Sequence, residues 1–207
     1  MIESRRRLLV VSLSFASVLG SATPASQAFA AEPPACRAIE IKFDLIKRQI
    51  TSVETNQLLF ASADNGCEEL ARRLLADGAS LEARDRLGAM PLAHAARAGV
   101  TTLVDMFLQN SAAIDARNLA GSTALYQAAE NGRTDTVDLL LRKGADPNLP
   151  GRSGVTPLAA AAYRGNDAIV SLLLDRGADR IRRDKEGKSA LDLAASAPIR
   201  ARLSAGN

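Results

Sequence analysis

Tryptophan is absent from this 207-residue chain, aromatic residues make up 3% of it, and histidine occurs once, at His94. So few rings leave the chain without the stacking platforms that bind single-stranded nucleic acid. One histidine and two cysteines allow no HExxH pair, no CxxC and no four-ligand zinc set. A complete G-x-x-x-x-G-K-[ST] phosphate loop is missing as well. No Ser, Cys or Asp is spaced around His94 in a way that suggests a catalytic triad, so that residue reads as structural. What the chain has instead is small and aliphatic: 47% of it is hydrophobic, mostly Ala and Leu. Such side chains suit helices packed closely together and suit a large ligand pocket poorly. No cofactor or metal is expected.

The first thirty residues, "MIESRRRLLVVSLSFASVLGSATPASQAFA", stand apart from the rest. Three arginines (Arg5, Arg6, Arg7) precede an apolar run from Leu8 to Leu19, and small residues end at Ala28-Phe29-Ala30. This is the pattern of a secretory signal peptide cleaved after Ala30. "SRRRLL" also resembles a twin-arginine signal, so the export route stays open between two alternatives. The apolar run is short for a membrane span, and no later segment reaches about 20 apolar residues. Removing residues 1–30 takes away three Arg and one Glu, turning 26 basic against 23 acidic residues into 23 against 22. A nearly neutral mature protein offers no electrostatic argument for nucleic acid. Its two cysteines, Cys36 and Cys67, admit one internal pairing, which an oxidising compartment favours. That bridge would close a loop of about 30 residues, worth roughly 3–4 kcal/mol on the chain-entropy account.

The remaining sequence is periodic. Gly88, Gly121, Gly154 and Gly187 stand 33 residues apart, and Gly66, Gly99, Gly132 and Gly165 keep the same step. A third ladder runs Gly78, Ser111, Gly144, Gly177, each followed by Ala. Three ladders in one register mark a repeat protein. Within a unit, Leu125, Ala128 and Ala129 follow helical spacing, as do Val137, Leu140 and Leu141. Thr123 and Thr156 stand where a helix begins, with Pro157 at a first helical position; Gly132 and Gly165 end the first helix, Gly144 and Gly177 the second. Neither helix is long enough to bury its apolar face alone.

"GVTPLAAAAYRGNDAIVSLLLDRGAD" (Gly154–Asp179) resembles the ankyrin repeat, as do "GAMPLAHAARAGVTTLVDMFLQNSAA" and "GSTALYQAAENGRTDTVDLLLRKGAD". The resemblance covers roughly residues 52–203 and implies an all-α solenoid of stacked helix pairs joined by hairpin loops. It divides the chain into a signal peptide (1–30), an N-terminal capping segment (31–51), a degenerate repeat (52–84), full repeats (85–117, 118–150, 151–183) and a truncated capping repeat (184–207). The family's usual His of T-P-L-H is replaced by Ala93, Tyr126, Ala159 and Asp192, which implies looser loops. "CRAIEIKFDLIKRQI" fits a strand by its alternation and a helix by the stripe Ile39, Phe43, Ile46, Ile50; a solenoid needs covered ends, so a capping helix is favoured. At the other end, Pro198 is expected to interrupt the helical pattern.

Asp85, Asn118 and Asp184 share one repeat position at which the family braces its loops, and Asp146 and Asp179 belong to its G-A-D element, so these acids read as structural. The family's partner-facing positions fall on Arg84, Arg86, Leu87, Arg97, Arg117, Leu119, Glu130, Asn131, Arg152, Val155, Tyr163, Arg164, Arg183, Lys185 and Lys188. In the central unit the exposed remainder is expected to be Ser122, Glu130 and Asn131. Arginine dominates this set, so a basic stripe with Leu119, Val155 and Tyr163 as apolar anchors is expected, facing a protein partner with an acidic patch. The resemblance implies no enzyme. It implies a monomeric, exported protein-binding module, in the periplasm or outside the cell, that supports or protects an envelope protein. An immunity or inhibitor protein against a toxin and a secreted host-directed effector are the alternatives.

Overall fold

In the computed structural model the described residues are 33–205, and the proposed leader lies outside them. These residues are helical and contain no strand. A single helix, α1 (Pro34–Ile46), precedes five helix pairs. The pairs are α2 (Ser52–Asn65) with α3 (Glu68–Ala76), α4 (Pro91–Ala98) with α5 (Thr101–Gln109), and α6 (Ala124–Glu130) with α7 (Thr134–Arg142). They continue with α8 (Pro157–Arg164) and α9 (Asp167–Asp175), then α10 (Ala190–Leu193) and α11 (Ala197–Ser204).

Local chemistry sets the helix ends. The Thr123 and Thr156 hydroxyls accept from the backbone N–H of Tyr126 and Ala159 at 3.2 and 3.1 Å, closing the first turns of α6 and α8. Thr51 with Glu54, and Ser189 with Asp192, form reciprocal capping boxes. Gly99 (φ 86°) and Gly165 (φ 75°) cap α4 and α8 in the left-handed region, where a side chain would be strained. Ser111 takes the corresponding glycine's place in the third ladder and is held there at φ 66°.

The first helices of the pairs are built from alanine: Ala93, Ala95 and Ala96 in α4, and Ala159 through Ala162 in α8, are all buried. The second helices carry the bulk, with Leu103, Val104 and Phe107 in α5, Val137 and Leu140 in α7, and Ile169, Val170 and Leu173 in α9 fully buried. Inner helices therefore approach their neighbours closely while outer helices stand further apart. Small residues inside and large ones outside bend the stack toward the alanine side. Across the outer helices, Lys143 meets Asp105 at 2.7 Å, Arg176 meets Asp138 at 3.5 Å and Arg202 meets Asp167 at 3.0 Å.

At the N-terminus the ambiguous segment is the helix α1. It buries Phe43 and Cys36 against α2 and is bonded to the start of α3 through Cys36–Cys67. Lys47 and Arg73 each lie 5.3 Å from the centre of the Phe43 ring, and Arg73 also reaches Asp44 at 2.6 Å. At the C-terminus Pro198 does not break a helix. It lies in the first turn of α11, where its missing N–H costs nothing, and the break falls earlier, at Ala194 (φ −61°, ψ 121°). Ser122 differs from expectation too: it is 2% exposed, tucked under its loop.

Leu140, fully buried in the middle of the stack, has no room to relax without opening a cavity. Leu140→Ala is expected to cost about 2–4 kcal/mol in urea unfolding. A midpoint equal to that of wild type would contradict its burial.

Candidate protein-binding face

Four loop tips line the alanine side of the stack: Asp85–Gly88, Asn118–Gly121, Gly151–Gly154 and Asp184–Gly187. In three of them an Asx side chain folds the turn. Asp85 Oδ1 accepts from Leu87 and Ala89, Asn118 Oδ1 from Ala120 and Ser122, and Asp184 Oδ1 from Glu186 and Lys188, all at 2.8–3.0 Å. Adjacent tips are joined by single backbone bonds, Leu119 N–H to Leu87 O at 2.9 Å and Lys185 N–H to Ser153 O at 3.0 Å.

Arginines brace the same loops. Arg84 donates to Gly88 O and to Arg117 O in the next unit, both at 2.8 Å. Arg117 repeats this, donating to Gly121 O and to Pro150 O at 2.9 Å. Arg183 donates to Gly187 O at 2.5 Å and approaches Asp192 at 3.3 Å. Three of the four loops that lack the family's histidine are therefore braced by a guanidinium, and Arg84 and Arg117 carry the brace into the next unit.

The third tip departs from this plan. Gly151 stands where the others have Asp or Asn, and Ser153 turns at φ 57°. A Cβ on Gly151 would fall 2.5 Å from the Tyr126 ring, so the missing side chain is what lets Tyr126 lie flat beneath the tip. Tyr126 is 4% exposed; burial first, then the nearby Glu130 carboxylate, push its phenol up to about 12. No backbone bond links the second tip to the third among the described residues.

Three larger hollows follow one another along this face, with a small one of about 50 Å³ over His94 and Arg97 between the first two tips. The first, about 670 Å³, lies between α2 and the first tip, over Val53 and Phe60 with Arg84, Asp85 and Arg86 at its edge. The second, about 480 Å³, is lined by Leu87, Leu119, Tyr126, Glu130 and Arg152. The third, about 240 Å³, is walled by Tyr126, Val155, Tyr163 and Leu193, with Glu130, Asp184, Glu186 and Arg164 around them. Tyr126 and Glu130 belong to the last two and form the saddle between them.

The sequence-predicted residues separate accordingly. Leu87, Leu119 and Tyr163 are 65%, 82% and 63% exposed, large apolar groups left in water. Arg86, Arg152, Arg164 and Lys185 are exposed, and their side chains have no hydrogen-bond or ion-pair partner among the described residues. Val155 is half-buried in the third hollow and Glu130 half-buried on the saddle. Arg84, Arg117 and Arg183 are committed to loop carbonyls, and Lys188 pairs with Glu186 at 3.0 Å. Asn131 turns back to Gln127 O at 2.8 Å and lines neither the second nor the third hollow.

Arg97 and the lone histidine belong to a polar tie between repeats. His94 Nδ1 lies 3.0 Å from both Asp64 oxygens, His94 Nε2 lies 3.1 Å from Asp85 Oδ2, and Arg97 donates to Asp64 Oδ1 at 2.7 Å. The ring stacks on Phe60 at 5.0 Å. This joins α2, α4 and the first tip and leaves the imidazole nowhere to act as a base. Burial works against the charge of Asp64, but hydrogen bonds from His94 and Arg97 and the charges on both outweigh it, holding the carboxyl below its ordinary value.

Residues 58–151 match the family model described as ankyrin repeats (3 copies), and residues 140–194 match that described as ankyrin repeats (many copies). The chain belongs to the ankyrin-repeat family. No curated protein sequence matches it. Ankyrin arrays are protein–protein interaction modules and in general non-catalytic, and the face described above is a surface on which this ankyrin protein displays apolar and cationic groups together. Sequence reasoning did not single out Asp64, Tyr126 or Glu186 as part of this face. The pairing of two departures from the ankyrin pattern, Tyr126 for His and Gly151 for Asx, was the available signal for one of them.

Gly151→Ala is expected to destabilise the array by about 1–3 kcal/mol by displacing the Tyr126 ring, as read by thermal melting. An unchanged melt would mean that the ring is not pinned there. A depressed carboxyl such as Asp64 stabilises the fold fully above its unfolded value near pH 4 and loses that contribution as the pH falls through its lower folded value. Asp64→Asn is thus expected to cost about 1 kcal/mol at neutral pH, after allowing for the screening of a partly exposed group. The gap from wild type should close below about pH 4 in urea melts; a gap that stays constant through the acid range would contradict the assignment.

Proposed function

We propose that this ankyrin protein is a non-enzymatic binding module exported to the periplasm, where it holds and protects another envelope protein against its row of loop tips. The observation that carries the reading is the coincidence on one face of exposed Leu87, Leu119 and Tyr163 with the unpaired cations Arg86, Arg152, Arg164 and Lys185. Across the outer helices, by contrast, Lys143, Arg176 and Arg202 are paired with Asp105, Asp138 and Asp167. Arginine and tyrosine beside aliphatic anchors are the composition of binding hot spots, and free guanidinium groups favour carboxylates on the partner.

Export is supported by the leader-like sequence of residues 1–30 and by the Cys36–Cys67 bond, which persists in oxidising compartments. No described helix is long and apolar enough to cross a membrane. The array is taken to act as a monomer, its partner supplying the second surface.

Affinity capture from envelope extract, followed by mass spectrometry, should recover one enriched protein with wild type. Recovery should fall at least tenfold with Arg86→Glu/Arg152→Glu/Arg164→Glu, three exposed changes that leave the loop-bracing arginines intact. Equal recovery by both proteins would remove the cationic groups from the interface. A captured enzyme whose activity is unchanged when this protein is deleted would argue against a protective role.

A further inference from the structure

The three hollows do not carry one sign of charge. Around the first, two guanidinium groups (Arg84, Arg86) face one carboxylate (Asp85). Around the third, three carboxylates (Glu130, Asp184, Glu186) face one guanidinium (Arg164) and the ammonium of Lys188, which reaches Glu186 at 3.0 Å. Glu130 makes no ion pair among the described residues; it is half-buried on the saddle, with the Tyr126 phenol beside its carboxylate. The walls of this third hollow are apolar and aromatic: Tyr126, Val155, Tyr163 and Leu193.

We infer that the third hollow receives a lysine or arginine side chain of the partner polypeptide, so that a face expected to be uniformly basic is polarised along its length. The inference rests on the reading of this face as a protein-binding surface and adds the chemistry of one anchor and the direction of the bound segment. A long cationic side chain is amphipathic, and its methylene stem would lie along Tyr163, Val155 and Leu193. Its charged end would stand among Glu130, Asp184 and Glu186, with the exposed face of Tyr163 available to a cation. A carboxylate would be held there less well, because Glu130 and Asp184 make no ion pair and would repel it from a partly desolvated recess. An apolar side chain would leave the half-buried Glu130 carboxylate without a counter-charge. The partner's acidic residues would instead meet Arg86 and the first hollow. The bound segment would therefore run with its acidic part toward α2 and its basic anchor toward α10.

Short random peptides displayed on phage, panned against the full chain, test this without knowledge of the natural partner. Selected peptides should carry Lys or Arg beside an apolar residue. Synthetic copies should bind Glu130→Gln/Glu186→Gln about tenfold more weakly than wild type, with an unchanged thermal midpoint for the variant. Replacing the peptide's basic residue by norleucine should cost the same factor against wild type and nothing against the double variant, which isolates the contact. Peptides that lose binding to Leu119→Asp but carry no basic residue, or whose basic residue is indifferent to the double variant, would overturn the assignment of the hollow and leave the binding face standing. Selection of no peptides, or only of peptides indifferent to both Leu119→Asp and the double variant, would overturn both.

Discussion

Everything in this protein depends on alanine-sided inner helices burying one another across repeat boundaries. A seven- or eight-residue helix such as α6 or α8 cannot persist in water alone, because nucleation costs more than its few hydrogen bonds return. It persists because Leu125 and Leu158 are fully buried between neighbours and because alanines let the backbones come close enough for that burial to be complete. Each unit is thus stabilised by the units on either side, and stability is a sum over interfaces. The two ends, which have a neighbour on one side only, are finished differently. A disulfide and the cation-flanked Phe43 fasten α1; a short α10 and the proline-started α11 close the other end.

That packing also decides what is available for function. Inner helices and loop tips are drawn onto a single side, and the repeat-to-repeat pitch spaces three hollows along it. The polar ties that keep the tips in place consume many of the groups that would otherwise be free. Arg84 and Arg117 hold loop carbonyls one unit away, and His94 is locked between Asp64 and Asp85. What remains uncommitted is a smaller set: Arg86, Arg152, Arg164 and Lys185 around Leu119 and Tyr163, with Glu130 as an unpaired counter-charge. The one loop that departs from the plan, at Gly151, is the one beneath which Tyr126 lies, and it separates two recesses of different charge.

The glycine ladders, the threonine starts and the Ala/Leu alternation between inner and outer helices could be read directly from the amino-acid order. Each acts within a few residues of itself: a cap bonds three positions on, a left-handed glycine ends its own helix. The all-helical repeat architecture was therefore legible, and so was the single possible cysteine pairing. The role of an individual arginine was not, since the same side chain serves a partner or a carbonyl depending on what lies at the end of its reach. For Arg84 that is a residue 33 positions away, and for His94 an aspartate 30 positions away. Pro198 was misjudged for a related reason: whether a proline ends one helix or starts the next depends on where the previous turn has already left helical geometry.

By itself the sequence determined the period, the helix pairs and the small-inside, large-outside division that curves the stack, because these follow from local propensity and burial. Tertiary structure alone decided which charges are satisfied within the molecule and which face outward, and how the hollows divide them. Charge satisfaction is a matter of distances of about 3 Å between groups from successive repeats, and no periodicity within one repeat contains them.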